Sequence, residues 1–206
     1  EAASNDDAKS SDKPSAAVSA KASAAASTDL GVPKGEIPFI VVDDLGPTVG
    51  GQRALLKKPG GPERLVEVVT ALGLDGTKDV PIKVEKKAKL TDVVALVRVL
   101  GEKGAKVVRI TADARGDLPK ELVVVPQTAL KEKVAPCSVV TSILPDFASE
   151  VWTVKGTTAK RGAKGTFGPD MTIAQENIVK ELKSCDSKIA FFTADDSLDW
   201  AYAHMA

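Results

Sequence analysis

The stretch Val80–Asp113, VPIKVEKKAKLTDVVALVRVLGEKGAKVVRITAD, decides the fold class. VPIKVEKKA alternates apolar and charged side chains, which is the period of a strand with one buried face. The period then changes. Val93, Val94, Leu96, Val97 and Leu100 recur at helical spacing, so a helix begins at Leu90 or Thr91, with Thr91 as its candidate N-cap and Gly104 as its stop. KVVRITAD returns to a strand. Strand, helix and strand in so short a span form a crossover unit, and a right-handed crossover lays its helix on one face of the sheet.

Working outward, order is expected to begin near Ile37. PFIVVDD reads as a strand closed by LGPTVGG, with QRALL as the return strand of a hairpin. PERLVEVVTALG places Leu65, Val66, Val69 and Leu72 on one helical face, with Pro62 at its start and Gly73 at its end. Downstream, ELVVVPQ, SVVTSI and EVWTVKG read as strands. MTIAQENIVKELKSC sets Ile173, Ile178 and Leu182 on one face of a further helix. KIAFFTADD is the most hydrophobic strand of the chain, and the alternation in LDWAYAHM predicts an edge strand.

The C-terminal half echoes the N-terminal half in two alignments. One sets LTDVVALVRVLGEKGAKVVRITAD against MTIAQENIVKELKSCDSKIAFFTAD, ending on matching triplets at Thr111 and Thr193. The other sets the hairpin, the Gly61-Pro62 helix start and VPIKVEKKA against VWTVKGTTAKRG, Gly168-Pro169 and KIAFFTADD. Both predict an α/β protein of the α+β two-layer kind, with small sheets, helices packed on one face, and tandem or duplicated strand-helix-strand units. The expected organisation is a tether over residues 1–36, a first domain over 37–126 and a second, shorter unit over 127–206.

The tether is expected from composition. Up to Lys34 the chain is Ala, Ser, Lys and Asp with scattered Pro and no aromatic residue, too little apolar surface to offset the entropy of ordering it. An alanine-rich stretch that turns helical in context is the alternative. The chain starts at Glu1 rather than Met, which is the start that a removed signal peptide, a removed anchor helix or a truncation would leave. Across all 206 residues, 28 basic residues balance 28 acidic ones, so nothing in the global charge points to nucleic acid. Aromatic residues make up 4%, which argues against a base-stacking platform.

Side chains that could carry chemistry are few. His204 is the one histidine, which leaves no multi-imidazole metal site and strains any acid-base scheme centred on histidine. Cys137 and Cys185 are either a disulfide or two buried thiols. GTTAKRGAKGT has the residue types of a phosphate loop but not the spacing GxxxxGK[ST], so it reads as a basic hairpin. Its Lys155, Lys160, Arg161 and Lys164 would contact an anionic polymer or an acidic partner, or form a solvated face. The pairs Asp43-Asp44 and Asp195-Asp196 fit turn or cap roles better than a catalytic pair, because neighbours on a strand point to opposite faces. Trp152 and Trp200 read as core or sheet-edge packing. No cofactor and no catalytic residue is expected.

The tether, the hairpin with its glycine-bearing turn, the helix, the strand VPIKVEKKA, the helix ending GEKGAKVVRI and the next strand together resemble the periplasmic domain of ExbD/TolR-type biopolymer transport proteins. The resemblance runs from about Ile37 to Thr111 and rests on loose hydrophobic spacings. It implies a non-catalytic binding or coupling domain in the periplasm or cell envelope of a Gram-negative-type bacterium. Its partner would be an envelope protein or peptidoglycan, with a homodimer or larger assembly, and membrane attachment only through a missing N-terminal anchor. The family's membrane helix and its proton-linked carboxylate are not in this sequence. The longer C-terminal portion departs from the family and looks like an added second copy, so an envelope scaffold without the motor role is the alternative.

Overall fold

Alternate apolar residues build the first strand, β1 (Ile40–Asp43), whose Ile40 and Val42 are buried. The computed structural model describes residues 39–74, 79–114, 116, 118–130, 137–155, 158–160, 171–185 and 189–205, all within one contact unit, Val32–Ala206. The expected tether lies outside the described residues.

The first hairpin differs from the sequence reading. Gly46–Val49 is itself a strand, β2, antiparallel to β1, so LGPTVGG is not one loop but a strand between two turns. At the first turn the Asp43 carboxylate accepts a hydrogen bond from the Leu45 N–H, and Gly46 sits at φ 118°. At the second, Gly50 and Gly51 both have positive φ, as a two-residue turn with the twist of a hairpin requires, and β3 (Gln52–Arg53) follows.

Next come α1 (Gly61–Thr70), β4 (Asp79–Val84), α2 (Leu90–Glu102), β5 (Val107–Ala112) and β6 (Glu121–Val124). The six strands lie in the order β3-β2-β1-β4-β5-β6, with β4 parallel to both β1 and β5. Both crossovers step the same way along the sheet, so right-handed connections put α1 and α2 on one face, where they touch. Their buried sides meet Ile40, Val42, Val80, Ile82, Val84, Val108 and Ile110 in one core. On the opposite face Arg109 of β5 binds Asp79 of β4 (2.5 Å) and Glu121 of β6 (2.7 Å). The helical faces are rotated slightly from expectation. Val68 is buried where the sequence pattern points to Val66, and Val99 is buried while Val94 stands 57% exposed.

Thr91 is not the N-cap of α2. Lys89 is, in extended conformation and without a side-chain cap. The helix start is organised from elsewhere in the chain, because the Leu90 N–H donates to Leu198 O at 3.1 Å.

The second sheet is built from β7 (Cys137–Ile143), β8 (Ser149–Lys155), β9 (Thr158–Lys160) and β10 (Ala190–Ala194), with α3 (Met171–Lys183) packed on β7 and β8. Its order is β10-β7-β8-β9, and β10 runs parallel to β7. Reversed, this is the first sheet's β3-β2-β1-β4, with α3 in the place of α1. The topology thus follows the second alignment, and α3 and β10 do not correspond to α2 and β5. Details agree: Glu85 N donates to Val42 O (2.9 Å), as Asp195 N does to Ile143 O (3.0 Å).

One sequence expectation fails here. LDWAYAHM is not an edge strand, since Trp200–Met205 forms a short helix, α4, in the place that α2 takes after β4. KIAFFTADD does contain a strand, β10, as its hydrophobic run predicts. No residue of β10 is buried, and among the described residues no strand pairs with its outer side.

Candidate functional site

The two halves meet where their matching segments face each other. Lys89 and Asp199, 110 residues apart, form an isolated antiparallel bridge. Leu90 N donates to Leu198 O, and Trp200 N donates to Ala88 O at 2.7 Å. Those two bonds exchange equivalent residues, so the junction has local two-fold character. On the axis the Lys89 ammonium binds the Asp199 carboxylate at 2.5 Å and the Ser197 carbonyl at 3.2 Å. A symmetric contact would bring one residue type against itself. This one pairs opposite charges.

Beside the junction lies an open groove of about 780 Å³ between α2 and β6 of the first sheet and β10 and α4 of the second. Val94, Val97, Val123, Val125, Phe191 and Phe192 line it, and several are well exposed: Val123 60%, Val94 57%, Phe192 43%. At its end, His204 Nε2 is 2.7 Å from Pro119 O, Trp200 stacks on His204 (centroids 6.1 Å apart), and Trp200 itself is buried. The Trp200 indole nitrogen finds no hydrogen-bond partner among the described residues. The equivalent of Phe192 in β4 is Ile82, which is 3% exposed. The difference is the missing neighbour: β5 pairs with β4 from Asp79 to Val84, and no described strand pairs with the outer side of β10.

A second cleft, about 500 Å³, separates α1 from α2 and contains Asp92. Burial pushes the Asp92 carboxyl above its ordinary value, partly offset by Lys57 and Lys89. The Arg53 guanidinium holds the Asp43 carboxyl below its usual range through a two-pronged ion pair of 2.6 and 2.5 Å. Asp195 is lowered by the Ser197 hydroxyl and N–H, the capping role expected of it. Asp43 and Asp195, the first member of each pair, therefore serve turns at separate places. Arg109 is raised by Asp79 and then Glu121.

Cys137 and Cys185 form a disulfide (S–S 2.07 Å, Cα–Cα 5.4 Å) that fastens the end of α3 to the start of β7, against Val139, Val151 and Ile178. Lys155 is exposed at the end of β8. Lys160 ends β9 with its backbone opposite Thr153. Arg161 and Lys164 lie outside the described residues. Trp152 is half-buried on β8, away from Trp200.

Sequence reading misses the groove, because it depends on which strand lacks a neighbour. The signal that could have found it is the equal spacing from Val84 to Leu90 and from Ala194 to Trp200. That spacing marks α4 as a counterpart of α2, and β10 as a counterpart of β4. Comparison of the chain with protein-family models, with curated proteins and with solved structures gives no match in any of the three.

Proposed function

We propose that this chain is a non-catalytic binding or coupling domain of the ExbD/TolR type, serving a proton-driven biopolymer transport system in the periplasm or cell envelope. The observation that carries this reading is the element order of the first sheet: hairpin, α1, β4, α2, β5. Such a body offers backbone edges, and a partner strand pairs with an edge through main-chain hydrogen bonds. The Cys137–Cys185 disulfide supports an oxidising compartment, since such bonds persist outside the reducing cytosol. In this reading the residues ahead of Ile37 give reach, and any membrane anchor lies outside these 206 residues. The partner is an envelope protein or peptidoglycan, engaged by one chain or by a homodimer.

The second copy of the sheet order favours one alternative, an envelope scaffold that keeps the fold without the motor role. In-cell crosslinking of the full-length protein in its native host tests both. A proton-channel subunit bound in the inner membrane supports coupling. Peptidoglycan or assembly partners without such a subunit support the scaffold. Recovery in the cytosolic fraction overturns both.

A further inference from the structure

We propose that the cleft between α1 and α2 is a binding site for a small aliphatic amine, whose protonated amino group pairs with the Asp92 carboxylate while its hydrocarbon body lies on the apolar walls. This goes beyond the binding-domain reading and does not rest on it.

Asp92 carries the argument. It is 5% exposed, yet among the described residues no side-chain hydrogen bond or ion pair reaches its carboxylate. Burial of an unpaired charge is unfavourable, and a carboxylate so placed is ordinarily matched by a cation or by donated hydrogen bonds. The nearby cations of the chain do not supply that match. Lys89 gives its ammonium to Asp199 and to the Ser197 carbonyl. Arg98 and Glu102, on the α2 wall of the cleft, bind each other at 2.9 Å. Lys57 is exposed and acts on Asp92 only through its field. Asp92 stands in the first turn of α2, where the helix dipole favours a negative charge without giving it a partner.

The cavity beside this carboxylate has the size and lining of a ligand site. Its volume of about 500 Å³ falls within the range of small-molecule pockets, roughly 300–1,000 Å³. Leu56, Pro62, Leu65, Val66, Ala95 and Val99 supply apolar walls, and Asp92 is the buried charge among them. An apolar pocket with one buried carboxylate selects a cation that carries a hydrocarbon body, because the ammonium donates charge-assisted hydrogen bonds while the body displaces water from the walls. A carboxyl that burial penalises and that faces a cavity is where a binding role is to be sought.

The test titrates the full chain of 206 residues with isopentylamine and with isopentanol, its uncharged counterpart, at constant ionic strength, and follows backbone amide shifts by NMR. Saturable shifts at Val66, Ala95 and Val99 are expected with the amine. The alcohol is expected to bind about tenfold more weakly, or worse, because it lacks the charge-assisted hydrogen bond. Asp92→Asn, expected to fold at least as stably as the parent, is expected to erase the difference between the two. Lys57→Ala is expected to tighten amine binding, since it removes a like charge. The proposal is overturned if amine and alcohol bind alike, or if Asp92→Asn keeps the preference for the amine. It is also overturned if no saturable shift appears at tens of millimolar amine, which means that water or another part of the chain serves the carboxylate. These results leave the binding-domain reading standing, since that reading fails only on the envelope crosslinking.

Discussion

Gly61 shows how one hydrogen atom can decide the sign of a substitution. In a helix Gly→Ala ordinarily gains about 1 kcal/mol. Here a Cβ would lie 2.1 Å from Leu55 O and 2.7 Å from Leu55 C, backbone atoms that cannot swing away. Overpacking of this kind costs about 1–3 kcal/mol, so Gly61→Ala is expected to lower the denaturation midpoint despite its better propensity. Lys89 and Asp199 are each about one-third exposed, so the pair is partly screened. Reversing either charge is expected to cost about 1 kcal/mol, and Lys89→Asp with Asp199→Lys to recover most of it in a double-mutant cycle read by urea denaturation. Asp92 runs the other way. Its carboxyl binds a proton more tightly folded than unfolded, so its effect is a loss of stability as pH rises from the unfolded value of 3.8 through the raised folded value. Asp92→Asn is therefore expected to raise the melting temperature at pH 7, with the gain shrinking as pH falls toward 4; an equal gain at both pH values would refute desolvation as its cause.

Among the elements, α2 is the one whose burial pattern makes the sharpest contrast. Leu96 is fully buried among the strands and Val94 is exposed one turn face away. Leu96→Ala is expected to destabilise by about 2–5 kcal/mol in chemical denaturation, and Val94→Ala by well under 1 kcal/mol. Most elements are legible because period 2 and period 3.6 both report burial on one side, as in Val80, Ile82 and Val84 of β4. Legibility stops where another segment sets the outcome. A six-residue helix has little stability of its own. α4 forms because Trp200 N–H meets Ala88 O and the Gln175 side chain reaches Met205 O at 3.0 Å, contacts that alternation in LDWAYAHM cannot announce. Likewise the run AFFTA is legible as a strand from its hydrophobicity, while how far it is covered depends on neighbours that its own residues do not specify. The two cysteines are legible as candidates, and only the packing of α3 on β7 brings their sulfurs together.

At the scale of the molecule, one half leans on a large single core and the other on two small clusters plus a covalent tie. Closing a loop of 48 residues is worth about 4 kcal/mol in chain entropy. Reduction of Cys137–Cys185 is thus expected to accelerate hydrogen exchange throughout β7, β8 and β10 while β1, β4 and β5 keep their protection. Uniform acceleration of both sheets would mean that they unfold as one cooperative unit.

β1 enters the first sheet at an interior position, hydrogen-bonded to β2 on one side and β4 on the other. Tension arriving from the residues ahead of it, with the load taken up elsewhere in the sheet, acts along the strand axis. The bonds on both flanks are then sheared together instead of being peeled one after another, as they would be at β3 or β9. The disulfide meanwhile withholds from extension a span that would reach roughly 160 Å if drawn straight. A pull on its leading end would therefore be met by two ladders at once, while the span between the two cysteines stays closed.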